Sequence, residues 1–175
     1  SNVYPITFLS SLAVSDTIEQ ITDLRPSLKC PNDVLVGQRK ISGTLIELST
    51  EADMVRFVVI GIGLNVNLEM KDMDREIKAK ATSLLIETKK TFERPRVCGI
   101  LLSNLERYYG VFKTDGPRAI CDIWEEKAQI RGKYLEINQM GEVYAGQAKG
   151  IDRDGAILLD INGSTKKILA GDVNF

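Results

Sequence analysis

Histidine is absent from all 175 residues. That gap removes Ser-His and Cys-His nucleophilic catalysis, a histidine general base and any histidine metal ligand. Cysteine is nearly as scarce: Cys30, Cys98 and Cys121 are odd in number and lack paired metal-ligand spacing, which argues against a disulfide framework and against zinc. A reducing cytoplasm is the natural setting for such thiols. No stretch approaches the roughly 20 apolar residues that cross a bilayer. The opening SNVYPITF has no basic region followed by an apolar core, so neither membrane anchor nor signal peptide is expected. An excess of one charge is missing too: 23 Lys+Arg stand against 24 Asp+Glu, scattered along the chain. The broad positive field of non-specific nucleic-acid binding is therefore not expected.

What remains is lysine, carboxylates, amides and backbone groups. Such a set favours electrostatic stabilisation of a reaction whose nucleophile arrives with the substrate. With 43% apolar and 27% charged residues and no low-complexity tract, the chain reads as one folded domain plus a small second one.

From Pro5, the residues Ile6, Leu9, Leu12, Ala13, Ile18 and Ile21 recur at helical spacing and predict a helix to about Asp23. Leu28 to Cys30 is short and apolar; Pro31-Asn32-Asp33 is a turn signal before a strand at Val34 to Val36. Gly37-Gln38 turns into a strand from Lys40 to Leu48, with Ile41, Gly43, Leu45 and Glu47 on one face. Met54 to Gly63 is β-branched and apolar, which predicts a nearly fully buried strand paired with the preceding one. A stripe from Val97 to Phe112 and a segment from Pro117 through Trp124 to Lys127 predict two further helices. The order predicts an α+β fold, helices on one face of a mostly antiparallel or mixed sheet. After Ile130, short strands alternate with turn signals at Gly141-Glu142, Asp154-Gly155 and Asn162-Gly163, which predicts a small β-barrel over 130–175 docked on a first domain over 1–129.

Three clusters carry chemistry: Lys29 to Asp33, Arg39 to Gly43, and Gly61 to Asn67. If the two long strands are neighbours, Gly43 and Gly61 to Gly63 clear one patch of sheet for a flat ligand, with Lys40 at its edge. Singly, each has a plain structural use: strand glycines mark bulges, edge lysines are solvated, and Pro-Asn-Asp turns the chain. Gly61-Ile62-Gly63-Leu64-Asn65 lacks the third glycine of a dinucleotide fingerprint and opens no apolar helix.

Together and in this order, the clusters resemble the biotin protein ligases. That family carries a Lys-Trp-Pro-Asn-Asp turn, a Lys-hydrophobic-small-Gly-Ile-Leu-hydrophobic-Glu strand and a hydrophobic-Gly-hydrophobic-Gly-hydrophobic-Asn-hydrophobic-Asn strand. They stand here as Lys29 to Asp33, Lys40 to Glu47 and Ile60 to Asn67. Ala81-Thr82-Ser83-Leu84 matches a further segment leading into a helix, and Gly150 to Leu158 resembles the core of the family's SH3-like C-terminal barrel. The likeness runs from about Pro5 to Gly171 and implies a class II synthetase-like catalytic core.

Two departures stand out. Cys30 replaces a tryptophan, which implies a smaller contact or a gap beside the site. The Gly-Arg-rich loop that closes over biotin, and a strand that contacts it, would lie upstream of the first helix. The resemblance therefore implies an N-terminally truncated chain of impaired activity, with Ser1-Asn2 read as a cloning remnant and any DNA-binding domain lost.

The implied reaction joins biotin to a lysine of a biotin carboxyl carrier domain by way of biotinyl-AMP, using ATP and Mg²⁺. Lys40 would contact the biotin carboxylate and the α-phosphate. Gly43, Gly61, Ile62 and Gly63 would floor the biotin site, while Lys29, Asn32 and Asn65 would serve the nucleotide. Asp33 would hold Mg²⁺ or orient the acceptor lysine. The resemblance also admits a homodimer. Lipoate or octanoate transfer and a non-catalytic biotin sensor are the alternative readings, because fold analogy alone does not separate them.

Overall fold

The computed structural model describes residues 4–51, 54–139, 141–169 and 172–174. Ser1-Asn2 and Gly171 lie outside them.

The first apolar repeat folds as α1 (Tyr4–Ile21), which is buried almost all round. Phe8, Leu9, Leu12, Ala13, Val14 and Ile18 are each at most 2% exposed. A helix apolar on every side belongs inside a core rather than on a surface. Its buried hydroxyls turn back on the helix: Ser10 donates to Ile6 O, Ser11 to Phe8 O and Thr17 to Ala13 O.

Strands β1 (Pro26–Lys29), β2 (Asp33–Val36), β3 (Arg39–Glu51) and β4 (Met54–Leu64) form an antiparallel meander in that order. Gly37, at φ +61°, makes the turn between β2 and β3. The predicted pairing of the two long strands is present, with Gly43 opposite Gly63 and Leu45 opposite Gly61.

The expected near-complete burial of β4 does not hold. Phe57 is 58% exposed, Val59 49% and Leu45, across the ladder, 66%. β4 is the last strand of its sheet, and Phe57 and Val59 share with Leu45 the outward face that carries Gly61 and Gly63. It leaves an apolar groove against Leu102, Leu105, Tyr109 and Phe112.

After β4 come a 3-10 turn (Met70–Asp72) and the short helices α2 (Arg75–Lys78) and α3 (Leu84–Thr88). The first two carry no apolar period and were not foreseen. The long helices α4 (Arg94–Thr114) and α5 (Pro117–Ala128) follow, each with proline in its first turn. Both pack on α1, and Trp124 of α5 stacks on Phe8 at 4.4 Å while donating to Ser11 Oγ at 2.9 Å.

Strands β5 (Tyr134–Gln139), β6 (Glu142–Ile151), β7 (Ile157–Ile161), β8 (Ser164–Ile168) and β9 (Asp172–Asn174) make a second antiparallel sheet ordered β8-β7-β6-β5-β9. Among the described residues no ladder joins β8 to β9. It docks as expected: Leu135, Ile137, Ile157 and Leu159 share one core with Phe8, Trp124 and Ile130. Glu125 of α5 accepts from Ile151 N at 2.6 Å and is paired with Arg131. No described helix is long and apolar enough to cross a membrane.

Candidate active site

Lys40 and Gly43 are three residues apart, which in a regular strand would put them on opposite faces. The β2–β3 register removes that difficulty. Asp33 pairs with Gly43 and Val34 with Ser42, but Leu35 pairs with Lys40, so Ile41 is an extra residue in β3. This bulge flips the strand's facing. Asp33, Leu35, Lys40 and Gly43 consequently lie on the outer face. Val34 and Ser42, 1% and 2% exposed, point into the core.

The Lys40 side chain folds back over Gly43. A Cβ placed on Gly43 would come within 2.9 Å of both Lys40 Cε and Nζ, and 3.5 Å from Asp33 Oδ1. Lys40 Nζ lies 2.5 Å from Asp33 Oδ1, an ion pair rather than a directed hydrogen bond. The lysine is about half exposed, so its charge is held in place and still reachable.

Asn32, Lys40, Gly43, Thr44, Leu45, Gly61, Ile62 and Gly63 line an open cavity of about 500 Å³ over this floor. Gly61 and Gly63 face outward through their pairing with Leu45 and Gly43. Ile62, paired with Thr44, contributes backbone there while its side chain packs on the core. The space over Gly61 and Gly63 is informative. A Cβ at Gly61 would approach Leu45 O at 3.7 Å and one at Gly63 would approach Gly43 O at 3.8 Å, both ordinary contacts. Neither glycine has positive φ. Nothing in the fold requires them, and glycine in a strand costs stability. Their bareness leaves that face of the sheet flat.

The nucleotide candidates separate. Asn32 donates from Nδ2 to Thr44 O at 2.8 Å and accepts from Thr44 N at its own carbonyl, so it braces the cavity wall. Asn65 follows β4; its N–H donates to Ile41 O and its Nδ2 to Thr82 O at 2.9 Å. Lys29 lines a different cavity of about 370 Å³, with Gln38, Ala128 and Lys133. Cys30 is packed in the core at 7% exposure, and neither neighbouring cavity includes it. Burial pushes its thiol up to about 12, leaving it protonated and unreactive.

Reading the sequence singled out Ala81 to Leu84 but not what anchors it. Residues 80–82 lie along Lys40: Lys40 N donates to Lys80 O and Thr82 N to Lys40 O, both at 2.8 Å. Glu87, missed from sequence, accepts from Arg39 Nη2 at 2.6 Å and from the Thr82 hydroxyl. An isolated glutamate one turn into a short helix gives no signal of such a contact.

Residues 136–175 match the family described as Biotin protein ligase C terminal domain. The biotin protein ligase of Aquifex aeolicus, solved in complex with biotin and ATP, superposes with a TM-score of 0.83 at 30% identity, over 99% of this chain and 72% of that one. The chain belongs to the biotin protein ligase family. Among curated relatives, the bifunctional ligase/repressor BirA of Bacillus subtilis is 35% identical over 168 residues, 96% of this chain and 52% of the relative. The biotin--[acetyl-CoA-carboxylase] ligase of Mycobacterium tuberculosis is 31% identical over 171 residues, 96% of this chain and 61% of the relative. The chain thus spans about half the length of the first of these and somewhat more of the second.

Proposed function

We propose that the whole protein attaches biotin to a lysine of a biotin carboxyl carrier domain, with ATP activating the biotin carboxylate. The observation that carries this reading is the held lysine over a bare glycine floor, Lys40 above Gly43 and beside Gly61 and Gly63. The reading assigns 1–129 to the catalytic core and 130–175 to the C-terminal unit, and the whole protein to the cytoplasm, in keeping with its free thiols.

In the first step a biotin carboxylate oxygen attacks the α-phosphorus of ATP and the bond to pyrophosphate breaks. In the second the acceptor amine attacks the acyl carbon, AMP leaves and an amide forms. The nucleophiles belong to the substrates, so this chain supplies position and charge. Lys40 draws the carboxylate and the α-phosphate together and neutralises charge that grows in the transition state. Biotin lies on Gly43, Gly61 and Gly63, with Ile62 backbone between them. Asn65 reads adenine, and Asn32 holds the wall on the phosphate side. Lys29 serves the nucleotide only from the neighbouring cavity.

Asp33 holds Lys40 until substrate arrives; released, its carboxylate orients the acceptor amine or takes Mg²⁺. Among the described residues no three carboxylates, cysteines or histidines converge on a metal-sized point. A hard cation needs few protein ligands, so Asp33 would hold it, and it would supply charge neutralisation on the phosphates.

The test is pyrophosphate release by the whole protein with ATP and either biotin or lipoate. Release that depends on biotin is expected; release with lipoate alone overturns the assignment. The 175 residues alone are expected to biotinylate a carrier domain far more slowly than the whole protein, because the closing loop the family uses lies outside them. Equal rates in a side-by-side assay would contradict this.

A further inference from the structure

Thr82 is fully buried and ties both halves of the candidate site. Its N–H donates to the Lys40 carbonyl. Its own carbonyl accepts from Asn65 Nδ2. Its hydroxyl donates to Glu87, whose carboxylate is held in turn by Arg39, the residue before the lysine. The flanking backbone closes the frame, with Leu84 N donating to Asn65 O and Ser83 capping α3 through Ile86 N.

We propose that Glu87 is a positioning residue for the nucleotide, setting the amide of Asn65 through Thr82. This rests on the reading of Asn65 as the adenine contact. Because Nδ2 is spent on Thr82 O, the amide turns Oδ1 toward the ligand. That oxygen accepts from the amino group of adenine and opposes the carbonyl of a 6-oxopurine. Glu87 thereby acts on nucleotide affinity and purine choice while touching no substrate. Biotin, lying over Gly43, Gly61 and Gly63, sits in a cavity that Glu87, Thr82 and Asn65 do not line.

The test uses the whole protein with Glu87→Ala, Glu87→Gln and Thr82→Val, and steady-state pyrophosphate release with ATP and with ITP. Glu87→Ala is expected to raise KM for ATP about fivefold to tenfold, the worth of the hydrogen bond from the Thr82 hydroxyl that then no longer fixes the Asn65 amide. The ATP-over-ITP preference should fall by a similar factor while KM for biotin stays within about twofold. Glu87→Gln keeps an oxygen for the Thr82 hydroxyl and should restore most of the affinity. Thr82→Val, of nearly equal volume, should mimic Glu87→Ala. If Glu87→Ala does not fold, these two variants decide the matter. Unchanged purine preference, or KM for biotin and ATP rising together, overturns the proposal. A parental protein without biotin-dependent release sinks the functional reading instead, and the two failures are thereby distinct.

Discussion

Lys40 can fold over its strand because residue 43 has no side chain. A methyl at that position meets the flexible end of the lysine rather than backbone, so Gly43→Ala should leave stability within about 1 kcal/mol, in the range of surface substitutions. It should still push the ammonium off the floor and away from Asp33. Adenylate formation is expected to fall at least tenfold with thermal unfolding nearly unchanged. A variant that loses stability and rate together would mean that Gly43 serves the sheet rather than the lysine. That Lys40 and Gly43 belong to one motif was legible in the sequence, but their shared face was not. Alternation alone sets them on opposite sides, and the bulge at Ile41 carries no glycine or proline to announce it. Glu87 was illegible for a related reason: its partners are Thr82, five residues away, and Arg39, 48 residues away.

At the scale of elements, β3 and β4 show how much a pattern reveals. Their pairing followed from two adjacent apolar runs and from opposed glycines, and the structure has it. Burial did not follow, because apolar β-branched composition fits any strand and says nothing about whether a layer covers it. Phe57 and Val59 are the result, apolar yet about half open. The glycines permit a direct test. Since a Cβ fits at Gly61 and Gly63 without crowding, Gly61→Ala and Gly63→Ala should be neutral or stabilising by up to about 1 kcal/mol. Both should weaken biotin binding, measured by calorimetry on the whole protein. Destabilised variants with full biotin affinity would return these glycines to plain strand packing.

Across the whole molecule, one ion cluster ties the three long helices. Asp16 of α1 accepts from Arg107 and Tyr108 of α4 and from Lys127 of α5. Burial pushes the Asp16 carboxyl up, but hydrogen bonds from Lys127, Tyr108 and Arg107 outweigh it and hold it below its usual 3.8. A carboxyl lowered by folding contributes stability above its unfolded value, and that contribution fades as pH falls through the lower folded one. The thermal midpoint should therefore drop as pH goes below about 4, and Asp16→Asn should be less stable at neutral pH yet lose less on acidification. Parallel curves would show that the cluster does not govern acid sensitivity. The second antiparallel sheet was legible from the change in texture after Ile130. That the parts would dock was legible too, but not through which residues: Leu135 and Leu159 share a core with Phe8 from the far end of the sequence.

The central claim is that Lys40 stabilises charge on the α-phosphate as biotin attacks. Single-turnover biotinyl-AMP formation by whole-protein Lys40→Met, alongside its thermal unfolding, tests it most directly. Methionine keeps the long apolar stem of the lysine, so the fold should persist. Adenylate formation should fall by about 10²–10³, the loss expected for one preorganised transition-state contact. Biotin affinity should fall less, since the glycine floor remains. A folded variant within about threefold of the parental rate would place Lys40 among solvated edge lysines and contradict the mechanism.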